Sequence, residues 1–68
     1  MREKHRITVL IADDHYIVRM GLAGLIRTEP GMEVVAEAAD GCEAVARYLM
    51  YRPELTLMDL RMPVKHGI

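Results

Sequence analysis

Apolar positions along this chain change their period several times, and each change marks an element. The run ITVLIA, Ile7–Ala12, is apolar on both alternating faces: Ile7, Val9 and Ile11 on one, Leu10 and Ala12 on the other. Such a run predicts a strand buried on both sides, in the middle of a parallel sheet. It stops at DDH. From about residue 15 to residue 28, Val18, Leu22, Leu25 and Ile26 recur at i, i+4, i+7 and i+8, which is one face of a helix. Asp14 is the candidate N-cap, and EPG at 29–31 ends the helix because Pro30 and Gly31 both break it.

MEVVAEA, Met32–Ala38, predicts a second short strand. The segment DGCEAVARYLMYRP then predicts a second helix, with Asp40 and Glu43 at capping-box spacing, although the box prefers Ser or Thr at its first position. Val45, Tyr48 and Leu49 are expected to face inward, and Pro53 marks the end. ELTLMD, residues 54–59, is a third strand, apolar on both faces and ending in an acid. The order β-α-β-α-β with short connections implies right-handed crossovers, and so an α/β doubly wound parallel sheet with helices on both faces. No repeat or linker divides the chain, so residues 1–68 are expected to be one unit.

In an open parallel sheet, ligands bind beyond the carboxyl ends of the strands, where strand order reverses. If the second strand lies on one side of the first and the third on the other, that point falls between the first and third. Asp13 and Asp14 follow the first strand, and Asp59 ends the third. Three carboxylates in a small space repel one another unless a cation intervenes, and an all-oxygen anionic pocket suits a hard cation such as Mg²⁺. With that charge neutralised, one carboxylate can attack phosphorus and form an aspartyl phosphate. Taken singly, Asp13 and Asp14 have the plainer reading of helix capping, and Asp59 that of a polar residue where a strand surfaces. Their combination at two strand ends is what carries weight.

Composition narrows the picture further. Sixty-eight residues are enough for one small domain and no more, and a chain of that size buries only about 60% of its unfolded surface. Apolar residues make up 51% and charged residues 28%, a globular balance. The net charge of −1 argues against nucleic-acid binding by this chain itself. The basic start, MREKHR, reads as a solvated tail. Cys42, the single cysteine, cannot form an intramolecular disulfide, and no Cys/His spacing matches a zinc site. It is expected to be a small, semi-buried helix residue in a reducing compartment. ITVLIA is too short to span a bilayer, and the chain is expected to be cytoplasmic with no membrane association.

Taken together, VLIADDHYIVRMGLAGLI, GMEVVAEAADGCEAV and RPELTLMDLRMP resemble the receiver domain of bacterial two-component response regulators, in particular receivers that precede a LuxR-type helix-turn-helix output domain (the LuxR/NarL subclass). The likeness covers essentially the whole chain. It implies a flavodoxin-like fold and a phosphate-accepting switch rather than an enzyme. Asp59 matches the phosphoacceptor, which takes its phosphoryl group from a partner histidine kinase. Asp14 matches the acid that binds Mg²⁺ directly, and Asp13 the one that usually reaches it through a water. Arg61 would offer its backbone carbonyl to the metal, and Met62 and Pro63 match the turn that shapes the loop. Nucleic acid would be met only through an output domain absent from this chain.

The sequence departs from the family pattern at VKHGI, where Lys65 and His66 stand in places commonly held by a hydrophobic residue and Asp or Asn. Exposed polar residues are the expectation there. The chain supplies three of a receiver's five strands, so it reads as the first part of one domain. The family's Ser or Thr after strand four and Lys after strand five are not in it. Losing a preorganised charge-stabilising donor costs about 2.7–4 kcal/mol in comparable sites, so weak phosphorylation of this chain alone is expected. The open third strand and uncovered Leu57 and Met58 predict a homodimer or a domain-exchanged oligomer. A competing reading is a structural, dimerising fragment with an acidic metal pocket and no phosphotransfer. An Mg²⁺-dependent phosphatase would want D-x-D after the first strand, which ADDH lacks, and a nucleotide-binding domain would want a glycine-rich turn there.

Overall fold

The computed structural model describes residues 5–59. It contains β1 (Ile7–Ala12), α1 (Tyr16–Arg27), β2 (Met32–Ala38), α2 (Gly41–Tyr51) and β3 (Leu55–Met58). The three strands form one parallel sheet in the order β2-β1-β3. The most apolar strand thus takes the centre, where its backbone is paired on both sides and its side chains are covered on both faces. Val9, Leu10, Ile11 and Ala12 are each at most 1% exposed.

Those four residues divide the core into two layers. Val9 and Ile11 pack with Ala23 of α1, flanked by Leu22, Ile26, Met32, Val34 and Leu57. Leu10 and Ala12 pack with Ala38 and Ala44 on the opposite face, next to Ala36. The α1 layer is built of branched side chains and the α2 layer mostly of alanines. Both helices pack on β1 and β2 rather than on β3. On the α2 side this leaves an apolar groove of about 230 Å³ lined by Leu10, Val45, Tyr48, Leu49, Thr56 and Met58, with Ala44 at its floor.

Within the helices, several expectations change. The inward arc of α1 runs through Arg19, Leu22, Ala23 and Ile26, which shifts the helix phase and turns Leu25 outward at 68% exposed. Val45, Tyr48 and Leu49 do lie over the sheet, yet each is exposed, because α2 reaches no further than β1. Cys42 is exposed rather than semi-buried, since it occupies the outer side of the first turn of α2.

Both ends of α2 are locally encoded. Asp40 Oδ1 accepts the Glu43 backbone N–H at 2.8 Å, and Glu43 Oε1 accepts the Ala39 N–H at 2.8 Å. This is a capping box reaching one residue further back than usual. At the other end Arg52 takes a left-handed conformation (φ 48°) before the buried Pro53. A conformation of this kind costs about 1–2 kcal/mol in a non-glycine residue. The Arg52 N–H bond to Tyr48 O at 2.7 Å and the guanidinium over the Tyr48 ring at 5.6 Å offset part of that.

One irregularity in the sheet shapes the site. The β1–β2 register skips Val35, pairing Val9 with Val34 but Leu10 with Ala36. A bulge of this kind exchanges the faces of everything beyond it. Met32 and Val34 therefore join the α1 layer, Ala36 and Ala38 the α2 layer, and Glu37 emerges on the α1 side.

Candidate functional site

The sheet order places the reversal point between β1 and β3, and the acids gather there. Asp13 continues the β1–β2 ladder by donating its N–H to Ala38 O at 3.0 Å, and Asp59 continues the β1–β3 ladder by donating to Ala12 O at 3.1 Å. Parallel pairing thus brings residues 46 positions apart to one end of the sheet. One ligand atom from each of Asp13, Asp14, His15 and Asp59 lies within 4.8 Å of all the others. Beside them opens a cleft of about 360 Å³ between β1, β3 and the first turns of α1, with Val18, Leu22, Leu57 and Met58 as its apolar walls.

Asp13 is buried, at 6% exposed. Its Oδ1 accepts the His15 backbone N–H at 2.8 Å, a side-chain turn that redirects the chain from strand to helix. This corrects the expected cap: Asp14 does not cap α1. The cap position is His15, with no side-chain bond to the helix, because the strand ladder carries the chain one residue further before the helix can begin. Asp14 instead directs Oδ1 at His15 Nδ1, 3.0 Å away, while the same nitrogen lies 3.3 Å from Asp13 Oδ1. Sequence reasoning passed over His15. Its signal was its place directly after the paired acids and before the helix.

Of the predicted site residues, Asp13, Asp14 and Asp59 come together. Arg61, with its backbone carbonyl, and Met62, Pro63, Lys65 and His66 lie outside the described residues. The donor set suits a hard divalent cation: three carboxylates supply oxygen, and the one nitrogen is engaged by two of those carboxylates.

A sheet of order 2-1-3, a cleft at its switch point and acids from two strand ends define a doubly wound receiver-like module. The response regulator receiver domain model matches residues 9–68, and the chain belongs to that family. Oxygen regulatory protein NreC of Staphylococcus aureus (strain JH9) is 49% identical over 55 residues, which is 81% of this chain and 25% of that protein. A two-component response regulator of the LuxR family from Aurantimonas sp. SI85-9A1 superposes with a TM-score of 0.80 at 45% identity, covering 85% of this chain and 41% of the other. A chain of the complex between the P1 domain of CheA3 and CheY6 from R. sphaeroides gives 0.84 at 38% identity, covering 93% of this chain and 50% of the other. The chain spans about a quarter of the length of the curated relatives it matches. Among the described residues, no helix is long and apolar enough to cross a membrane.

Proposed function

We propose that this chain is the phosphoacceptor part of a two-component response regulator receiver, in which Asp59 takes a phosphoryl group from a histidine kinase with Mg²⁺ in the carboxylate cluster. The observation that carries the reading is the meeting of Asp59 with Asp13 and Asp14 at the switch point, their ligand atoms within 4.8 Å. Asp13 and Asp14, with Asp59 and the Arg61 carbonyl, would hold the cation. When bound, the cation neutralises charge between the acids and the incoming phosphoryl oxygens.

The residues of the chain do the rest. The backbone bond from Asp59 to Ala12 O fixes the nucleophile at the rim of the cleft. Asp59 approaches phosphorus with a carboxylate oxygen; a P–O bond forms as the P–N bond to the donor imidazole breaks, and the electron pair returns to the imidazole nitrogen. Leu22, Leu57 and Val18 keep the walls of the cleft apolar, which strengthens charge interactions beside them. The product is a switch state, with no turnover of a released substrate. The module would work in the cytoplasm, and DNA would be met through an output domain, as the kinship with a LuxR-family regulator suggests. The apolar groove beside α2, next to β3 at the rim of the sheet, supports a homodimer or domain-exchanged oligomer through that side.

The test is incubation with acetyl phosphate and Mg²⁺, read by intact mass and peptide mapping. A weak, substoichiometric gain of one phosphoryl group on Asp59, lost in Asp59→Asn and weaker still in Asp13→Asn, is expected. A label on another residue, or one that persists in Asp59→Asn, overturns the assignment.

A further inference from the structure

Asp13 is held by more than its side chain, and one of its holders has no place in the chemistry above. Arg19 lies on the inward arc of α1 with its side chain 15% exposed. Its Nη1–H donates to the Asp13 backbone carbonyl at 2.7 Å, and its Nε–H donates to Glu37 Oε1 at 3.3 Å. The other Glu37 oxygen lies 3.5 Å from Arg27 Nη2, and the Tyr16 ring sits 5.5 Å from the Arg19 guanidinium carbon. A guanidinium aimed at the carboxylates would compete with a cation for them. This one approaches from behind, on the carbonyl, with its charge matched by Glu37.

The consequence is mechanical. The Asp13 N–H is fixed to Ala38, its carbonyl to Arg19 and its carboxylate to the His15 N–H. Two of those three ties lead to the end of β2, one directly and one through Arg19 and Glu37. Glu37 faces α1 only because the bulge at Val35 reverses the strand's faces. We propose that Arg19 is a positioning residue of the carboxylate site: its planar fork ties the Asp13 carbonyl to Glu37 and holds the Asp13–Asp14 turn in its ligand geometry. This rests on reading the cluster as a cation site. Arginine suits the task because its donors sit at fixed angles on one plane, so one side chain serves two acceptors; a lysine nitrogen is a single point.

Three readouts on the folded chain decide the matter: hydrogen exchange of the His15 and Asp13 amides, Mg²⁺ affinity by titration, and the urea midpoint. Arg19→Met keeps the apolar stem and removes every donor. It is expected to speed exchange at His15 and Asp13 beyond any change in global opening, and to weaken Mg²⁺ binding by about 10–100-fold, as when the partner that orients a ligand is lost. Arg19→Lys should recover part of both. Ile26→Val, in the same helix and core layer but away from the site, should lower the urea midpoint and leave Mg²⁺ affinity unchanged. Wild-type exchange and affinity in Arg19→Met overturn the proposal. If Arg19→Met does not fold, Glu37→Gln carries the test, with shifts in the same direction expected and unchanged values overturning it. A wild-type chain that binds no Mg²⁺ sinks the cation reading instead, while amide exchange still decides the role of Arg19.

Discussion

Glu54 shows how a single exposed residue can tie two strands. Its backbone N–H donates to Thr8 O at 3.0 Å, and its carboxylate accepts the Thr8 N–H at 3.1 Å, so the start of β3 is clipped to β1. The same carboxylate meets His5 Nε2 at 2.9 Å. The His5 hydrogen bond, then the Thr8 N–H, hold the Glu54 carboxyl below its usual value of 4.5. A depressed carboxyl contributes stability above its unfolded pKa, and that contribution is lost as pH falls through the lower, folded value. Urea unfolding followed downward through the carboxylate range is therefore expected to show a loss that is shallower in Glu54→Gln. Because both partners are exposed, added salt should shrink the difference. Equal acid dependence in the two chains would refute the assignment. The geometry at the acidic turn belongs to the same scale: the paired acids announce it in the sequence, whereas the contribution of Arg19 appears only when residues 13, 19 and 37 are seen together.

At the scale of elements, α2 and α1 differ in how their starts are specified. The Asp40–Glu43 cap is a matter of four consecutive residues and was legible at once. Asp40→Ala should cost about 1 kcal/mol, and Asp40→Ser much less, as differences in the denaturation midpoint; an Asp40→Ala chain as stable as wild type would remove the cap from the account. The start of α1 could not be read the same way. Asp14 is a good cap by residue type, but the turn is set by the Asp13 N–H bond to Ala38, a partner 25 positions away. The bulge in β2 was hidden for a different reason. Val34, Val35 and Ala36 are all apolar, so alternation gives no cue to where one face ends and the other begins.

For the whole molecule, β1 is the common wall of both core layers. Ile11 is fully buried against α1, and truncating such a side chain to alanine costs about 2–5 kcal/mol. Domains of this class have only about 5–15 kcal/mol in total. Ile11→Ala should therefore abolish a cooperative thermal transition or lower its midpoint steeply; a wild-type melting curve would contradict the two-layer core. The alanine-lined side has the opposite character, with Val45, Tyr48, Leu49 and Met58 exposed around the groove. Light scattering is expected to show a mass that rises with concentration, and Leu49→Glu should return it to one chain without loss of helical circular dichroism. A wild-type monomer across the concentration series would remove this face as an association surface.

The sequence by itself determined the order of elements, the central place of ITVLIA and the identity of the acids, because periodicity, breakers and strand-end residues are local properties. Only the tertiary structure decided that Asp59 meets Asp13 and Asp14, that His15 joins them, and that Glu37 turns toward Arg19. The first and last of those depend on the register of one strand against another, which is fixed by packing across the sheet rather than by any neighbouring residue in the chain, while His15 is drawn in by the side-chain turn of Asp13.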